Sequence, residues 1–414
     1  MSIFCCRSGE NLNEADLKAH LASLLRVENV GVLLGAGASI GAGGKSMKDL
    51  WMCFIQDSSV AARNLADQKF IEQDQNDSDL LENGLSDVPN VEQLLDALEI
   101  ARIDWKRRDP QSEDLSQLTS DIAALKRCVV KAAILDEALW TSSNTNSEQL
   151  KYHKSLMQKM VGARQPGQAS PWIFTTNYDL AIEWSAESVG IQINTGFLGI
   201  HNRLFSPQSF DLGFRHASAS GEARFGCNDC YLVKLHGSLT WKKESGMDFR
   251  ELSSHEMWPF LERVLEGDEI ADDSPMVFPR AAKYLQTHGY LLGELFRRFS
   301  DFLARPQTAI FVSGYSFGDE HLNRLLKSAL LNPTLQIVAF VPEFDGAGSA
   351  CLRTNHALRA LVELQSPRIT FVGGGPAAWF DKFAGYLPDP IFFDLTEREM
   401  KERLEDSNER RPNA

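Results

Sequence analysis

Three polar turns, each directly behind an apolar run, carry the residue types in this sequence that can do chemistry. They are the glycine turn Gly35–Ser39, the turn Thr175–Asp179 and the turn Lys234–Ser238. A glycine turn lets backbone N–H groups approach a phosphate, an amide beside a carboxylate orients a polar ligand, and histidine is a base near neutral pH. The ordered set predicts a nucleotide site with a built-in base.

The glycine turn follows the apolar run Val30–Leu34. Gly35, Ala36 and Gly37 would let the backbone lie close to a pyrophosphate, and the hydroxyl of Ser39 would add a donor. A dehydrogenase is disfavoured, because the glycine spacing is GxGxxxG and no acidic residue occurs on a second strand about 20 residues on. The nearby Gly44–Ser46 does not complete an ATPase P-loop, because that pattern requires glycine where Ser39 stands.

The second and third turns contain the candidate catalytic pair, Asn177 and His236. Asn177 and Asp179 alternate along an extended segment behind Thr176, so both can face the same side of the sheet end. The same two residue types also stabilise ordinary strand-end turns. His236 follows the apolar run Tyr231–Leu235, so its imidazole would lie at a strand end, where it could act as a general base. A lone histidine, however, more often has a structural role.

Two later glycine turns repeat the pattern of a turn behind a strand. Gly314, Tyr315 and Ser316 follow the run Ala309–Ser313 and would hold a ribose, and Gly374 follows the last run, Ile369–Gly373. Either turn could equally be a tight turn without a ligand.

Six short apolar runs, rich in β-branched residues, recur between helical stretches and predict an α/β fold. Such runs, ending in glycine or polar turns, are typical of a Rossmann-like parallel sheet with helices on both faces, where ligands bind beyond the carboxyl ends of the strands. They are Val30–Leu34, Trp172–Thr175, Tyr231–Leu235, Ala309–Ser313, Gln336–Val341 and Ile369–Gly373.

The gap of roughly 135 residues behind the first run is too long for a simple crossover. Its apolar periodicity predicts helices beginning near Asn90, running through Leu115–Val129, and covering Glu148–Val161. We therefore expect a large helical insertion after the first strand, at residues 51–164. Residues 1–50 and 165–390 would form the nucleotide-binding domain and 391–414 a charged tail. The irregular segment Asn194–Asn228 either lines the pocket or is a surface loop.

Composition narrows the class of protein further. The chain has 414 residues, 43% of them apolar, and a formal net charge of −14. This acidic balance argues against direct nucleic-acid binding, and no signal peptide or membrane span is evident, so we expect a cytoplasmic protein. The lone pair Cys227 and Cys230 falls short of the four ligands of a structural zinc site. No metal is therefore expected.

In order and spacing, the turns at 35–39, 175–179, 234–238 and 314–319 resemble those of the bacterial sirtuin-like enzymes of anti-phage defence, which consume NAD+. The resemblance covers most of Val30 to Phe380. Within that family the chain is most similar to the sirtuin-like subunit that partners a HerA-type hexameric ATPase. The resemblance implies a homo-oligomer in complex with that ATPase.

The resemblance also implies roles for individual residues. Asn177 and His236 would be catalytic, and Asp179 would hold nicotinamide. The remaining contacts to NAD+, which is the substrate, would come from the glycine turns and their neighbours: Gly35, Ala36, Gly37, Ser39, Thr176, Gly314, Tyr315, Ser316 and Gly374. The implied reaction is hydrolysis of NAD+ to ADP-ribose and nicotinamide.

Two other functions remain open on the sequence. The chain could bind NAD+ or ADP-ribose without turnover, as an assembly module. It could also be a protein deacylase, but Thr176 replaces the glutamine that the deacylating sirtuins carry before the asparagine. The zinc module that helps to build their acyl-lysine groove is also absent from the sequence.

Overall fold

A computed structural model of the chain describes residues 4–71, 91–141, 147–165, 167–214, 228–244, 248–268, 289–346 and 348–390. These residues form an α/β fold with two sheets, of nine and four strands. The strands are β1 (Phe4–Arg7), β2 (Glu10–Asn11), β3 (Asn29–Leu34), β4 (Trp172–Thr175), β5 (Gln192–Asn194), β6 (Phe197–Leu198), β7 (Arg203–Phe205), β8 (Asp229–Lys234), β9 (Trp241–Lys243), β10 (Phe249–Glu251), β11 (Thr308–Ser313), β12 (Gln336–Phe340) and β13 (Ile369–Gly373).

The large sheet is parallel except at one edge. Its order is β2-β1-β13-β12-β11-β3-β4-β8-β5, and only β1 runs against the other strands, pairing antiparallel with both β13 and β2. After β3 the chain adds β4 and then β5 at the far edge, places β8 between them, and crosses back to β11 on the other side of β3. The ends of β3 and β11 therefore mark the point where the strand order reverses, which is where open α/β sheets bind ligands.

Helices cover both faces of this sheet. The described α-helices are α1 (Glu14–Leu24), α2 (Met47–Asp57), α3 (Ser59–Asp67), α4 (Val91–Arg108), α5 (Glu113–Ala133), α6 (Glu137–Thr141), α7 (Lys151–Gly162), α8 (Ala181–Ser188), α9 (Ser254–Glu266), α10 (Gly289–Ala304), α11 (Glu320–Ala329), α12 (Cys351–Thr354), α13 (His356–Glu363) and α14 (Phe380–Tyr386).

The alternation of side chains along β3 shows why both faces must be covered. Leu33 packs into the core beneath α10, α11 and α13, whereas Val32 and Leu34 pack into the core beneath α1, α7 and α14. Burying one such side chain contributes about 1.5–3 kcal/mol. A slip of one residue would exchange the two faces of the strand, so burial fixes the register and with it the position of the turn that follows.

The insertion after β3 has a hydrophobic core of its own. Phe54, Leu98, Leu125 and Trp140 belong to this cluster. The cluster continues through Leu180 and Trp184, at the start of α8 and within it, and into α9 through Met257, while Tyr178 packs against its side. The insertion is thereby packed against the turn behind β4.

The fold class predicted from the sequence is confirmed, with differences in detail. Each of the six apolar runs is a strand, and the described residues between β3 and β4 are mostly helical. Two short strands, β1 and β2, precede the run that we predicted to be the first strand. The glycine turn itself contains a 3₁₀ turn, Ala36–Ala38, a second one follows at Ile40–Ala42, and the first α-helix after them begins at Met47.

Three further predictions concern the start of α4, the domain boundaries and the segment 194–228. Asn90, the predicted helix cap, lies outside the described residues, although α4 begins at Val91. The domain boundaries stay predictions; α7, which falls inside the predicted insertion, packs through Leu156 and Met160 into the core beneath the sheet. Most of the irregular segment 194–228 is described up to residue 214, and it supplies β6 and β7 of the small sheet, with order β6-β7-β10-β9.

Candidate active site

Four turns converge at the carboxyl ends of β3, β4, β8 and β11, which are consecutive or neighbouring strands of the sheet. Backbone hydrogen bonds join each turn to the next strand. The N–H of Gly35 donates to Ser313 O at 3.1 Å, that of Thr176 to Leu34 O at 3.0 Å, and that of Leu235 to Thr175 O at 2.8 Å. The turns predicted to carry the chemistry are thus brought to one edge of the sheet.

The glycines of the first turn are required by contact between two backbones. Gly37 N–H donates to Gly314 O at 2.9 Å, and a Cβ added at Gly37 would lie 2.7 Å from the Cα of Gly314. Gly314 has a φ of +68°, a conformation that favours glycine. The packing of the turns behind β3 and β11 against each other accounts for these glycines before any ligand is considered.

Ser39 links the first turn to the second. The amide Nδ2 of Asn177 donates to Gly35 O at 3.0 Å and to Ser39 Oγ at 2.9 Å. The Ser39 hydroxyl in turn donates to Asp179 Oδ2 at 2.7 Å, and Asp179 Oδ1 accepts from the N–H of Ala181 at 3.0 Å. Ser39 and Asp179 are buried and Asn177 is half-buried, so this network holds the amide in one orientation.

Lys234 supports the same turn from the strand beside it. Lys234 is 2% exposed; its ammonium group donates to the carbonyl of Asp179 and lies 2.8 Å from Glu183 Oε1. Burial raises the pKa of Glu183, and the opposite charge and hydrogen bond of Lys234 counteract that effect. A buried ion pair thus ties the end of β8 to the turn behind β4 and to α8.

His236 is 9% exposed, two residues after β8 ends. Its Nε2 lies 2.9 Å from Asp319 Oδ2, in the turn behind β11. Burial pushes the pKa of Asp319 up, but the hydrogen bond and charge of His236, with the N–H groups of Leu322 and His321, outweigh it and leave that pKa below its usual value. Asp319 is therefore held as a carboxylate beside the imidazole.

The remaining predicted ligand residues fall into two groups. Thr176 and Ala36 lie in the converging turns, as do Tyr315 and Ser316; Ser316 is exposed, whereas Tyr315 is buried and donates from its hydroxyl to Asn323 Oδ1 at 3.0 Å. Gly374 has a φ of +90°, and its N–H donates to Phe344 O behind β12. This hydrogen bond joins Gly374 to the segment behind β12 and not to the four converging turns.

The structure adds Asp319, Lys234 and Glu183 to the residues that sequence patterns singled out. Asp319 ends the motif Gly314–Asp319 and is followed by a helix, which is the pattern of an N-cap and could have drawn attention to it. Lys234 precedes the Leu-His-Gly sequence as a charged residue in an otherwise apolar strand. Nothing in the spacing of Glu183 predicts its contact with Lys234.

Other possible sites lie away from these turns. A cavity of about 280 Å³ is lined by Phe4, Phe344, Leu361 and their neighbours, at the β1 edge of the sheet, and contains none of the predicted residues. Across the described ranges, no group of three or more His, Cys, Asp and Glu side chains is arranged to hold a metal ion. Cys227, one half of the Cys pair, lies outside those ranges, and Cys230 is a free thiol.

The fold and the sequence can both be compared with those of known protein families. A sheet with helices on both faces and polar turns at its reversal point is the arrangement in which open α/β proteins bind ligands. Residues 171–361 match the family model described as SIR2-like domain. The match contains Asn177, His236 and the turn Gly314–Asp319, and it supports a sirtuin-like family and an NAD-dependent enzyme in general.

SIR2-like domains bind NAD+, so the match also suggests an NAD-related activity. A comparison with curated proteins found no match to this sequence. Within the part of the chain that the structure describes, no helix is both long and apolar enough to cross a membrane.

Proposed function

We propose that the protein is an NAD+ glycohydrolase, which cleaves NAD+ with water to nicotinamide and ADP-ribose. The observation that carries this proposal is the network in which the amide of Asn177 is held by Gly35 and Ser39, beside the strand whose end presents His236. The SIR2-like match supports NAD+ as the ligand. The amide and the imidazole are the polar groups that such a cleavage needs.

The residues present suit the parts of NAD+ that they would contact. Asp179 accepts one hydrogen bond at each oxygen, and a carboxylate has about four lone-pair positions, so it can also accept the N–H of a carboxamide. The amide nitrogen of Asn177 is engaged, which leaves its Oδ1 to accept from water or a ribose hydroxyl. The exposed Ser316 would contact the adenosine ribose.

The proposed reaction gains its rate from orientation and proton transfer. As the bond between ribose C1′ and the nicotinamide nitrogen breaks, positive charge develops on the ribose ring and nicotinamide leaves as a neutral molecule. Water forms the new bond to C1′, and its proton passes to His236. Holding the amide and carboxamide in fixed positions lowers the entropic part of the barrier, and a placed base typically contributes about 10²–10⁴-fold.

The test is nicotinamide release from NAD+ by the purified protein and by Asn177→Ala and His236→Ala. Loss of release in both variants, with unchanged circular dichroism, is the expected result. His356→Ala is the matched control, because His356 lies exposed on α13 with its ring bonded to Arg359. Full activity in both site variants would overturn the proposal, and NAD+ binding without turnover by the wild type would indicate an assembly module.

We further propose that this activity makes the protein the effector of a bacterial anti-phage defence system. In this proposal it is a cytoplasmic homo-oligomer that works with a HerA-type ATPase and depletes NAD+ in infected cells. The resemblance of the four turns to those of the defence enzymes supports the role in anti-phage defence. The SIR2-like match supports the enzymatic activity on NAD+. Co-expression with such an ATPase tests it: a stable complex and a fall of cellular NAD+ on infection are expected, and separate elution with unchanged NAD+ contradicts it.

A further inference from the structure

The contact between His236 and Asp319 joins two turns whose strands are not neighbours in the sheet. His236 follows β8 and Asp319 follows β11, and β4 and β3 lie between those two strands. Neighbouring strands are about 4.8 Å apart, so the two turns must reach over roughly three strand spacings to meet. They nevertheless place Nε2 of His236 2.9 Å from Oδ2 of Asp319.

Asp319 is fixed by the helix that it caps. Its Oδ1 accepts from the N–H groups of His321 at 2.7 Å and Leu322 at 3.2 Å, at the start of α11, and Leu322 is fully buried. The hydroxyl of Tyr315, which donates to Asn323 Oδ1, also lies 3.2 Å from the backbone carbonyl oxygen of Asp319. One carboxylate oxygen thus serves the helix, and the other is aimed at His236.

The neighbouring charged groups are each engaged with other partners. Asp179 is bonded to Ser39 and the N–H of Ala181, and the ammonium group of Lys234 is directed at Asp179 O and Glu183. On α11, Glu320 lies 3.9 Å from Arg324 on the exposed side. Among the carboxylates named here, Asp319 is the one that is hydrogen-bonded to His236.

We propose that Asp319 is the positioning residue for His236: it receives the N–H at Nε2, fixes the ring plane, and stabilises the imidazolium that forms when His236 takes the proton of the attacking water. This inference rests on the proposed hydrolysis of NAD+. Atoms balance as water adds to C1′, the C1′–N electron pair leaves with nicotinamide, and the proton moves to His236 and then to solvent. Asp319 stays ionised throughout, as the carboxylate of a catalytic triad does.

The alternative is that Asp319 serves only as a helix cap, and Asp319→Asn separates the two roles. Asparagine caps helices about as well as aspartate but carries no charge. We expect the variant to keep its melting temperature and its KM for NAD+, and to lose about 10- to 100-fold in kcat. The rising limb of its pH profile should move to lower pH, because an ionised carboxylate favours the imidazolium.

Two further measurements make the result decisive. Asp49→Asn is the matched control, since Asp49 is an exposed capping-box residue of α2, and its kinetics should equal those of the wild type. Asp319→Ala removes cap and charge together and should lose stability as well as kcat. Wild-type kinetics in Asp319→Asn, combined with an unstable Asp319→Ala, would show that the residue is only a cap.

A titration of His236 by NMR in histidine-labelled protein keeps this test independent of the proposed reaction. In Asp319→Asn the pKa of His236 should fall relative to the wild type, because the neutral amide no longer stabilises the imidazolium. If the wild type releases no nicotinamide but the shift is observed, the glycohydrolase proposal fails and the pairing stands. An unchanged titration overturns the positioning role even in an active enzyme.

Discussion

Ser39 and Asp179, 140 positions apart in the sequence, are joined by a hydrogen bond of 2.7 Å from the serine hydroxyl to the carboxylate. The same hydroxyl accepts from the amide of Asn177 at 2.9 Å. Because a hydroxyl has one proton and two lone pairs, the donors are fixed: the amide donates to the hydroxyl, and the hydroxyl donates to the carboxylate. Ser39 therefore sets the relative positions of two residues on which the proposed reaction depends.

Replacing Ser39 with alanine should break this network. The buried carboxylate of Asp179 and the amide of Asn177 each lose a partner, which costs about 1–3 kcal/mol of unfolding free energy. A misplacement of about 1 Å can lower a rate about 100-fold, so nicotinamide release should fall by that order. Urea unfolding and turnover assays measure the two effects.

Ser328→Ala is the control for that prediction. Ser328 is exposed on α11 and donates to Leu325 O, so its loss should change neither quantity. Wild-type turnover in Ser39→Ala would show that the network does not hold the site.

Gly37→Ala tests the close packing of the two glycine turns. The added methyl group would lie 2.7 Å from the Cα of Gly314, and a backbone cannot give way as a side chain tip can. We expect a loss of about 1–3 kcal/mol in unfolding free energy, measured by urea denaturation. Gly41→Ala is the matched control, because a methyl group there meets no atom within 4 Å; equal stability of the two variants would contradict the packing argument.

Lys234→Met should be strongly destabilising. The substitution leaves the Glu183 carboxylate without its partner at 2.8 Å and removes the donor to Asp179 O. Breaking one half of a buried ion pair costs about 3–5 kcal/mol. Lys327→Met, at an exposed position of α11, serves as the control in thermal and urea unfolding; a loss no larger than in this control would mean that the pair does not secure the turn.

His153 should make the protein sensitive to mild acid. Burial lowers its pKa to about 4, against the opposing charge of Asp179, while the unfolded chain titrates near 6.5. The unfolded state then binds more protons between these values, so stability falls as pH drops from about 6.5 to about 4, by up to about 3 kcal/mol.

His153→Gln isolates this contribution. Unfolding free energies of wild type and variant, measured in urea from pH 7.5 to pH 4.5, should converge as the pH falls, since glutamine does not titrate. His255→Gln, at an exposed position of α9, should leave the pH dependence of the wild type in place. Parallel curves for wild type and His153→Gln would refute the assignment to His153.

Much of the fold could be predicted because its signals are local. The runs at 172–175 and 369–373 are strands with the predicted bounds. Seven of the described strands were not predicted, because each is only two to four residues long; they are β1, β2, β5, β6, β7, β9 and β10. Behind the glycine turn the first α-helix begins at Met47, and the turn itself is bonded to Gly314, far away in the sequence.

The candidate site was predictable in its turns and only partly in its contacts. Asn177, Asp179 and Ser39 stood out by type and spacing, and the structure joins them. Asp319 and Glu183 had no role in the sequence-based prediction, because their partners lie 83 and 51 residues away. Such pairs arise from strand order and helix packing, which no local pattern encodes.

The sequence by itself determined which segments become buried strands and which polar residues stand at their ends. Apolar, β-branched runs specify strands locally, and a polar residue that follows one must lie at the sheet edge. The tertiary structure alone decided which ends become neighbours. The return of the chain to β11 on the far side of β3 set Gly314 against Gly37 and Asp319 against His236. That choice depends on burying both faces of the sheet at once, which is a property of the whole chain.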